Sequence, residues 1–100
     1  MNRPPRISKQ MRLLLPELLT APQAWRHGYD LSQETGIKSG TLYPLLMRLE
    51  EQGFLESRWD EPEREGRPPR HAYRLTAAGT ALARSLRKTP LLRKLSLRPA

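Results

Sequence analysis

A leucine stripe between two glycines constrains the fold of this chain more than any other feature of its sequence. Four leucines recur at helical spacing after Gly40 and mark the apolar face of a helix that Gly53 ends: Leu42, Leu45, Leu46 and Leu49. A shorter helical segment at 28–35 precedes this helix, and Gly36 is well placed as its left-handed C-terminal cap. Two short helices joined by a few residues that include a glycine predict a helix-turn-helix.

Two prolines lie inside the helical patterns. Pro44 is expected near the first turn of the leucine-striped helix, where a missing N–H costs little, and its i−4 neighbour is Gly40. An earlier amphipathic stripe consists of Met11, Leu14, Leu15, Leu18 and Leu19. Pro16 interrupts this stripe, so the first helix either kinks there or begins there after a separate piece at 9–14. The sequence leaves these two alternatives open.

The second half of the chain predicts a hairpin and a last helix. Residues 54–59 and 71–75 alternate as strands do, with Leu55, Ser57 and Trp59 on one face and with Tyr73 and Leu75 inward and Arg74 outward. Residues 60–70 are rich in proline and charge and predict the hairpin loop. Thr76 is a good N-cap for a helix of roughly 77–88, which Pro90 is expected to end.

This order of elements predicts a mainly α fold with a two-stranded β wing. It is the layout of a winged helix-turn-helix: three helices, a hairpin wing and a C-terminal helix. We expect a flexible basic arm at 1–8, a DNA-binding domain at 9–76, a last helix at 77–89 and a basic tail at 90–100. In such a fold the apolar face anchors the third helix, and the opposite face is free to enter a major groove.

Composition excludes several classes of function. The chain has 100 residues, no cysteine and two histidines, which predicts one domain without disulfides, thiol catalysis or a cysteine zinc site. Residues 36–41 have the residue types of a phosphate loop in the wrong order, and no nucleophile turn is present. We therefore expect no enzyme, metal or cofactor. The lack of a long apolar run or a signal-peptide core predicts a cytoplasmic protein without a membrane partner.

The positive charge is concentrated in the last third of the chain. The sequence holds 18 lysines and arginines against 10 acidic residues, for a net charge of +8. Residues 66–100 contain nine basic residues and no acidic one. An excess of this kind indicates a polyanionic partner, and double-stranded DNA is the expected one.

Polar residues at the start of the third helix are the first candidates for DNA contacts. Lys38, Ser39, Thr41 and Tyr43 offer a cation and three hydroxyls beside the free N–H groups of a helix N-terminus, which suits phosphate oxygens. Arg48, further along the helix, faces away from the leucine stripe. The alternatives are helix capping by Ser39 and Thr41 and a packed ring at Tyr43.

Two wing arginines are the other candidates. Arg67 and Arg70 flank a Pro-Pro pair, which stiffens the backbone and lowers the entropy lost on docking to phosphates or to a narrow minor groove. The alternative is a solvated loop that contacts nothing.

These residues resemble the PadR family of bacterial transcriptional regulators. The resemblance spans about 25–80 and rests on the runs 28–31, 39–46, 48–50, 53–55, 66–70 and 73–76, with Gly79. The Gly-Thr-Leu-Tyr-Pro run followed by Arg-Leu-Glu is its most specific part. It implies a winged-helix homodimer that binds operator DNA, usually as a repressor. Family proteins dimerise through the last helix, often packed on the partner's first helix. The resemblance therefore implies that 77–89 is a C-terminal dimerisation helix, and it implicates Leu14, Leu18, Leu82 and Leu86.

Departures from the family pattern limit what is carried over. Ala72 stands where the family commonly has a second aromatic residue, which could loosen the base of the wing. Residues 77–83 hold no aromatic residue, so no effector site is transferred and a small-molecule effector stays unknown. Trp25 and Trp59 are interpreted as structural.

Two functional hypotheses follow. The first is a sequence-specific regulator, a repressor that acts as a homodimer on a roughly palindromic operator. The second is a winged-helix protein-interaction module whose basic tail, with the run 91–95, docks an acidic partner.

Overall fold

Four helices and three short strands make up the described part of the chain. The structure is a computed structural model that describes residues 7–62 and 64–96, with side chains up to Leu86. In chain order the elements are α1 (Lys9–Leu19), β1 (Arg26–His27), α2 (Gly28–Thr35), α3 (Ser39–Glu51), β2 (Leu55–Asp60), β3 (Arg70–Leu75) and α4 (Ala77–Ser96). The mainly helical winged helix-turn-helix architecture predicted from the sequence is confirmed.

Helix α1 is continuous through Pro16. Ser8 is its N-cap and accepts a hydrogen bond from the Met11 N–H at 3.1 Å, so Ser8 belongs to the helix rather than to an arm. Pro16 cannot donate to the carbonyl of Arg12, yet buried apolar side chains before and after it hold both halves against the same core. The structure therefore decides against two separate pieces. The rest of the expected arm, residues 1–6, lies outside the described residues.

The turn between α2 and α3 forms as predicted. Gly36 has φ 77°, a left-handed conformation that a side chain would strain, and its N–H donates to the Ser32 carbonyl at 2.9 Å. Ile37 is buried, its N–H donates to Thr35 Oγ1, and its carbonyl accepts from the Ser32 hydroxyl at 2.6 Å. These bonds fix the direction in which α3 leaves the turn.

Pro44 lies deeper in α3 than the sequence indicated. The helix begins at Ser39, so Pro44, which the sequence placed near the first turn, is in the second turn. The carbonyl left without its usual donor is that of Gly40, a residue without a side chain and with open space around it. The four leucines of the stripe are buried as expected, and they keep the helix in place around the proline.

The wing is part of a three-stranded antiparallel sheet with the order β1-β3-β2. In the hairpin Leu55 pairs with Leu75, Ser57 with Tyr73 and Trp59 with His71. The third strand, β1, pairs Arg26 with Tyr73 and His27 with Ala72 on the other edge of β3. A strand of two residues has no periodicity of its own, so only the hairpin was predicted from the sequence.

Helix α4 is longer than predicted. Thr76 caps it as expected, because its hydroxyl oxygen accepts from the Gly79 N–H at 3.0 Å. The helix then continues to Ser96, so the expectation that Pro90 ends it was wrong, and the expected boundary between 77–89 and 90–100 is not an end of secondary structure. The leucines, arginine and lysine after Pro90 are good helix formers, which favours continuation despite one missing hydrogen bond.

One leucine-rich core holds the helices against the sheet. Its fully buried side chains come from α1, α2, α3 and β3 and include Leu14, Leu15, Leu18, Leu31, Leu42, Leu46, Leu49 and Tyr73. Helix α1 packs on α4, and α2 packs on α3. The core thereby leaves the polar side of α3 and the wing at the surface.

Candidate nucleic-acid interface

The N-terminal turn of α3 is exposed and polar. Lys38 takes the N-cap position with an extended backbone, and no side chain caps this end of the helix. Ser39, Gly40 and Thr41 are all exposed. The capping alternative for the two hydroxyls is therefore wrong. The Thr41 and Leu42 amides both donate to the Lys38 carbonyl at 2.9 Å, so the amides of this turn without an intrahelical acceptor are those of Ser39 and Gly40. Hydroxyls, a cation and free amides thus face solvent on one turn.

Tyr43 is both packed and partly open. Its ring lies over Gly28 at the start of α2, where a β-carbon would meet the phenol oxygen at 2.6 Å. The residue is still 37% exposed. Contact with Gly28 sets the position of the ring, and the exposed part remains free to meet a ligand. The sequence had left a packed ring and a DNA contact as alternatives for Tyr43, and the structure shows that packing does not exclude contact with a ligand.

Further along α3, Met47 and Arg48 are exposed on the side away from the leucines. Arg48 lies in the last turn of the helix, where a cation also interacts favourably with the helix dipole. Its position is therefore compatible with a DNA contact and with a purely local role.

The two wing arginines differ in their surroundings. Arg67 is exposed in the loop after Gly66. Arg70 begins β3 at the base of the wing, and its Nη2 atom lies 3.4 Å from a carboxylate oxygen of Asp30 on α2. The two arginines line a surface groove of about 690 Å³ together with Tyr29, Pro62, Arg64 and Pro68. Tyr29 was not predicted to lie at this groove, because only the folded chain brings α2 beside the wing.

A polar clamp fixes the base of the wing to α2. We use this name for His27, Asp30, Asp60 and Arg70. The Nε2 atom of His27 lies 2.9 Å from Asp60 Oδ2, and its Nδ1 atom lies 3.7 Å from Asp30 Oδ2. Arg58 Nε also contacts Asp60, at 2.7 Å. The clamp joins β1, α2 and both strands of the hairpin.

The clamp changes the acidity of Asp60. Desolvation raises the pKa of its carboxyl, but the hydrogen bonds from His27 and Arg58 and their positive charges outweigh this effect. The pKa of Asp60 is therefore held below its ordinary value, and the carboxylate form that accepts both bonds is stabilised.

The two tryptophans have different environments. Trp25 is half-buried, and the guanidinium groups of Arg58 and Arg74 lie 4.4 and 4.3 Å from its ring centroid. Ala72, between these arginines on the same face of the sheet, is fully buried, so the missing aromatic residue does not leave the base of the wing open. Trp59 is 67% exposed, and a purely structural interpretation does not account for it.

The residues expected at a dimer interface lie mostly in the core of the single chain. Leu14, Leu18 and Leu86 are buried, and Leu82 is half-buried against the same core. The exposed leucine of α1 is Leu13. The predicted docking segment 91–95 is helical, and its side chains lie outside the described part of the structure.

Comparison with known proteins identifies the family. The model of the transcriptional regulator PadR-like family matches residues 18–85, which covers α2, α3, the whole sheet and the start of α4. This chain belongs to the PadR-like family of transcriptional regulators. A DNA-binding regulator is therefore its function at the level of the family.

Solved structures agree with this assignment. A PadR-like transcription factor from Bacteroides fragilis is 26% identical, with a TM-score of 0.70 and 89% of each chain covered. A protein from Streptococcus mutans UA159 is 32% identical, with a TM-score of 0.70, and the match covers 95% of this chain and 88% of that one. A PadR-like regulator from Bacillus cereus shares the fold at 21% identity and a TM-score of 0.61, over 92% of this chain and 100% of that one. A comparison with curated protein sequences found no match.

Within residues 7–62 and 64–96, no helix is long and apolar enough to cross a membrane. No three metal-ligating side chains come together in that same part of the chain.

Proposed function

We propose that this protein is a sequence-specific repressor that binds a roughly palindromic operator as a homodimer. The observation that carries the proposal is the uncapped, exposed first turn of α3, held by a rigid turn beside a wing with free arginine. A helix presented in this way fits the major groove, and the wing reaches the flanking backbone or minor groove.

The candidate residues divide into two roles. Thr41 and Tyr43 project from the first two turns of α3, where side chains of a recognition helix meet base edges. Lys38, Ser39 and Arg48 supply a cation, a hydroxyl and a second cation for phosphate oxygens, which position the helix without reading sequence. Arg67 adds a phosphate or minor-groove contact from the wing, while the clamp keeps Arg70 at its base.

Dimerisation would place two copies of α3 on successive turns of the duplex. Support comes from the long α4 helix packed on α1 and from Leu13, which is 47% exposed on α1. The buried leucines of the expected interface would then act indirectly, because they hold α1 and α4 together in the core of each chain.

Sedimentation of the full chain tests this proposal. Leu13→Glu should shift a dimer toward monomer, and Gln33→Glu, which adds the same charge at an exposed position of α2, should not.

Repression would follow from occupancy, because a bound dimer blocks polymerase from an overlapping promoter. A reporter gene behind the selected operator in bacterial cytoplasm should be silenced by the wild-type chain. Activation of the reporter would contradict the repressor assignment and leave DNA binding intact.

Selection of bound sequences from random duplex DNA tests the function itself. The expected result is an enriched motif with two related half-sites about one helical turn apart. If no motif is enriched, sequence-specific binding is wrong and the interaction-module hypothesis, with its acidic partner, is favoured instead.

A further inference from the structure

Trp59 is an exposed aromatic side chain held in a fixed orientation. Its ring stacks on His71 with 4.3 Å between the ring centroids and 9° between the ring planes. His71 in turn lies against Tyr73, whose hydroxyl is 2.9 Å from His71 Nδ1. Tyr73 is buried in the core, so this three-ring stack connects the surface at Trp59 to the rigid interior.

The anchoring end of the stack stays protonated. Burial raises the pKa of Tyr73 to about 12, and the negative charge of Glu50 and the neighbouring Tyr43 add to this effect. The phenol therefore keeps its proton through the physiological pH range, and its oxygen lies within hydrogen-bond distance of His71 Nδ1. A preorganised surface ring loses little conformational entropy when a ligand covers it.

The sheet register shows which way Trp59 faces. Trp59 lies on the same face of β2 as Ser57, since they are two residues apart, and the Ser57 hydroxyl donates to Glu50 on α3 at 2.6 Å. Arg58, on the opposite face, lies against Trp25. Trp59 is therefore on the α3 side of the wing, near the point where the hairpin leaves the body of the protein.

Exposed apolar side chains are concentrated on this side. Met47 is 55% exposed on α3, and part of the Tyr43 ring is open next to it on the same helix. Arg67 of the wing loop follows Trp59 along the chain. A duplex that contacts both α3 and the wing has to cross the surface between them.

We propose that Trp59 packs against the deoxyribose of the DNA strand that runs between the α3 contacts and the wing. Deoxyribose is the apolar part of the backbone between two charged phosphates, and a flat ring can cover it without desolvating a charge. Such a contact adds affinity without reading bases. The inference rests on the proposed function and names a contact that the polar candidates do not include.

Paired substitutions test the contact. Trp59→Ala should weaken binding to the selected operator and to random duplex equally, by roughly tenfold, with an unchanged dependence on salt because no charge is removed. Trp59→Phe keeps a ring and should retain most of the affinity. Trp25→Phe, a tryptophan change on the opposite face of the sheet, should bind both duplexes as the wild type does.

Fluorescence gives a readout that does not depend on a destabilising change. The chain has two tryptophans, so Trp25→Phe leaves Trp59 as the sole indole emitter. Its emission should be quenched and shifted to shorter wavelength when duplex DNA is added to saturation.

Three results would overturn the inference while leaving the proposed function in place. The first is that Trp59→Ala binds the operator as strongly as the wild type, and the second is that Trp59 emission does not change at saturating DNA. The third is that Trp59→Ala binds more weakly only because it self-associates more weakly in sedimentation. If the wild-type chain binds no duplex, the proposed function fails and this inference fails with it. Thermal unfolding of each variant verifies that the proteins compared are folded.

Discussion

His27 Nε2 lies 2.9 Å from Asp60 Oδ2 and so joins the first strand of the sheet to the end of the second across the strand between them. Through the same imidazole, Asp60 is connected to Asp30 at the N-terminal end of α2. The wing is thus attached to the helix-turn-helix by side chains as well as by its backbone. Its orientation relative to α3 depends on these ionisable groups.

The clamp makes stability depend on pH in the acidic range. The pKa of Asp60 is lower in the folded protein than in the unfolded chain. The contribution of Asp60 to the free energy of unfolding is therefore complete above the unfolded pKa of about 4, and it is lost as the pH falls through the lower folded pKa. We expect the thermal unfolding midpoint of the wild type to fall below about pH 4. Asp60→Asn should lower the midpoint at neutral pH and weaken its dependence on acidic pH.

The neighbouring exposed carboxyl of Glu61 offers a control. Glu61→Gln should change neither the midpoint at neutral pH nor its dependence on acidic pH. If the midpoints of wild type and Asp60→Asn fall equally with acid, the role of the clamp is contradicted.

Gly79 is required by a close approach between α4 and the chain before β2. A β-carbon at this position would lie 1.9 Å from the Phe54 carbonyl oxygen, a backbone atom that cannot rotate away. Gly79→Ala should therefore destabilise the protein by about 3 kcal/mol or more in urea unfolding. Gly40→Ala is the matched control, because open space surrounds Gly40 in its helix, and it should be neutral or stabilising by about 0.5–1 kcal/mol. Similar stabilities for the two variants would show that the helix can move away from Phe54 at little cost.

Arg67 should contribute a salt-dependent contact to DNA. Replacement by alanine removes one cation from an exposed loop, so it should weaken binding to all duplexes and reduce the slope of log K against log salt by about one. Arg84, exposed on α4, is the matched control, and Arg84→Ala should leave the slope unchanged. Arg70→Ala should affect wing stability more than the slope, since Arg70 pairs with Asp30. An unchanged slope in Arg67→Ala would remove the wing tip from the interface.

Thr41 and Tyr43 should carry sequence preference. The pair Thr41→Ala and Tyr43→Ala should reduce the affinity for the selected operator by about 1–3 kcal/mol for each base that is no longer recognised, and leave random-duplex binding less affected. A gel-shift comparison on the two DNAs measures this difference. Because the Tyr43 ring packs on Gly28, the thermal midpoint of each variant has to be measured beside its affinity. Equal reductions in affinity on both DNAs would mean that these side chains bind only the DNA backbone.

Local sequence signals predicted the parts of the fold that local physics controls. Three predicted features depend only on residues a few positions apart in the sequence, and all three formed as expected. They are the leucine stripe of α3, the left-handed Gly36 and the Thr76 cap. The family motif lies in these same elements, which is why the polar first turn of α3 was also found from sequence.

Contacts between distant segments decided the rest. The strand at Arg26–His27 exists because β3 offers it an edge, and the clamp exists because that pairing sets His27 beside Asp60. Trp59 lies on the same face of β2 as the buried Leu55. The hairpin extends beyond the core at this point, however, so the Trp59 ring stacks on His71 and stays exposed to solvent. Sequence by itself determined the helix-turn-helix and the hairpin, since periodicity and caps act within a few residues. Only the tertiary structure decided how the wing is held and which side chains remain free, because those depend on what packs across the sheet.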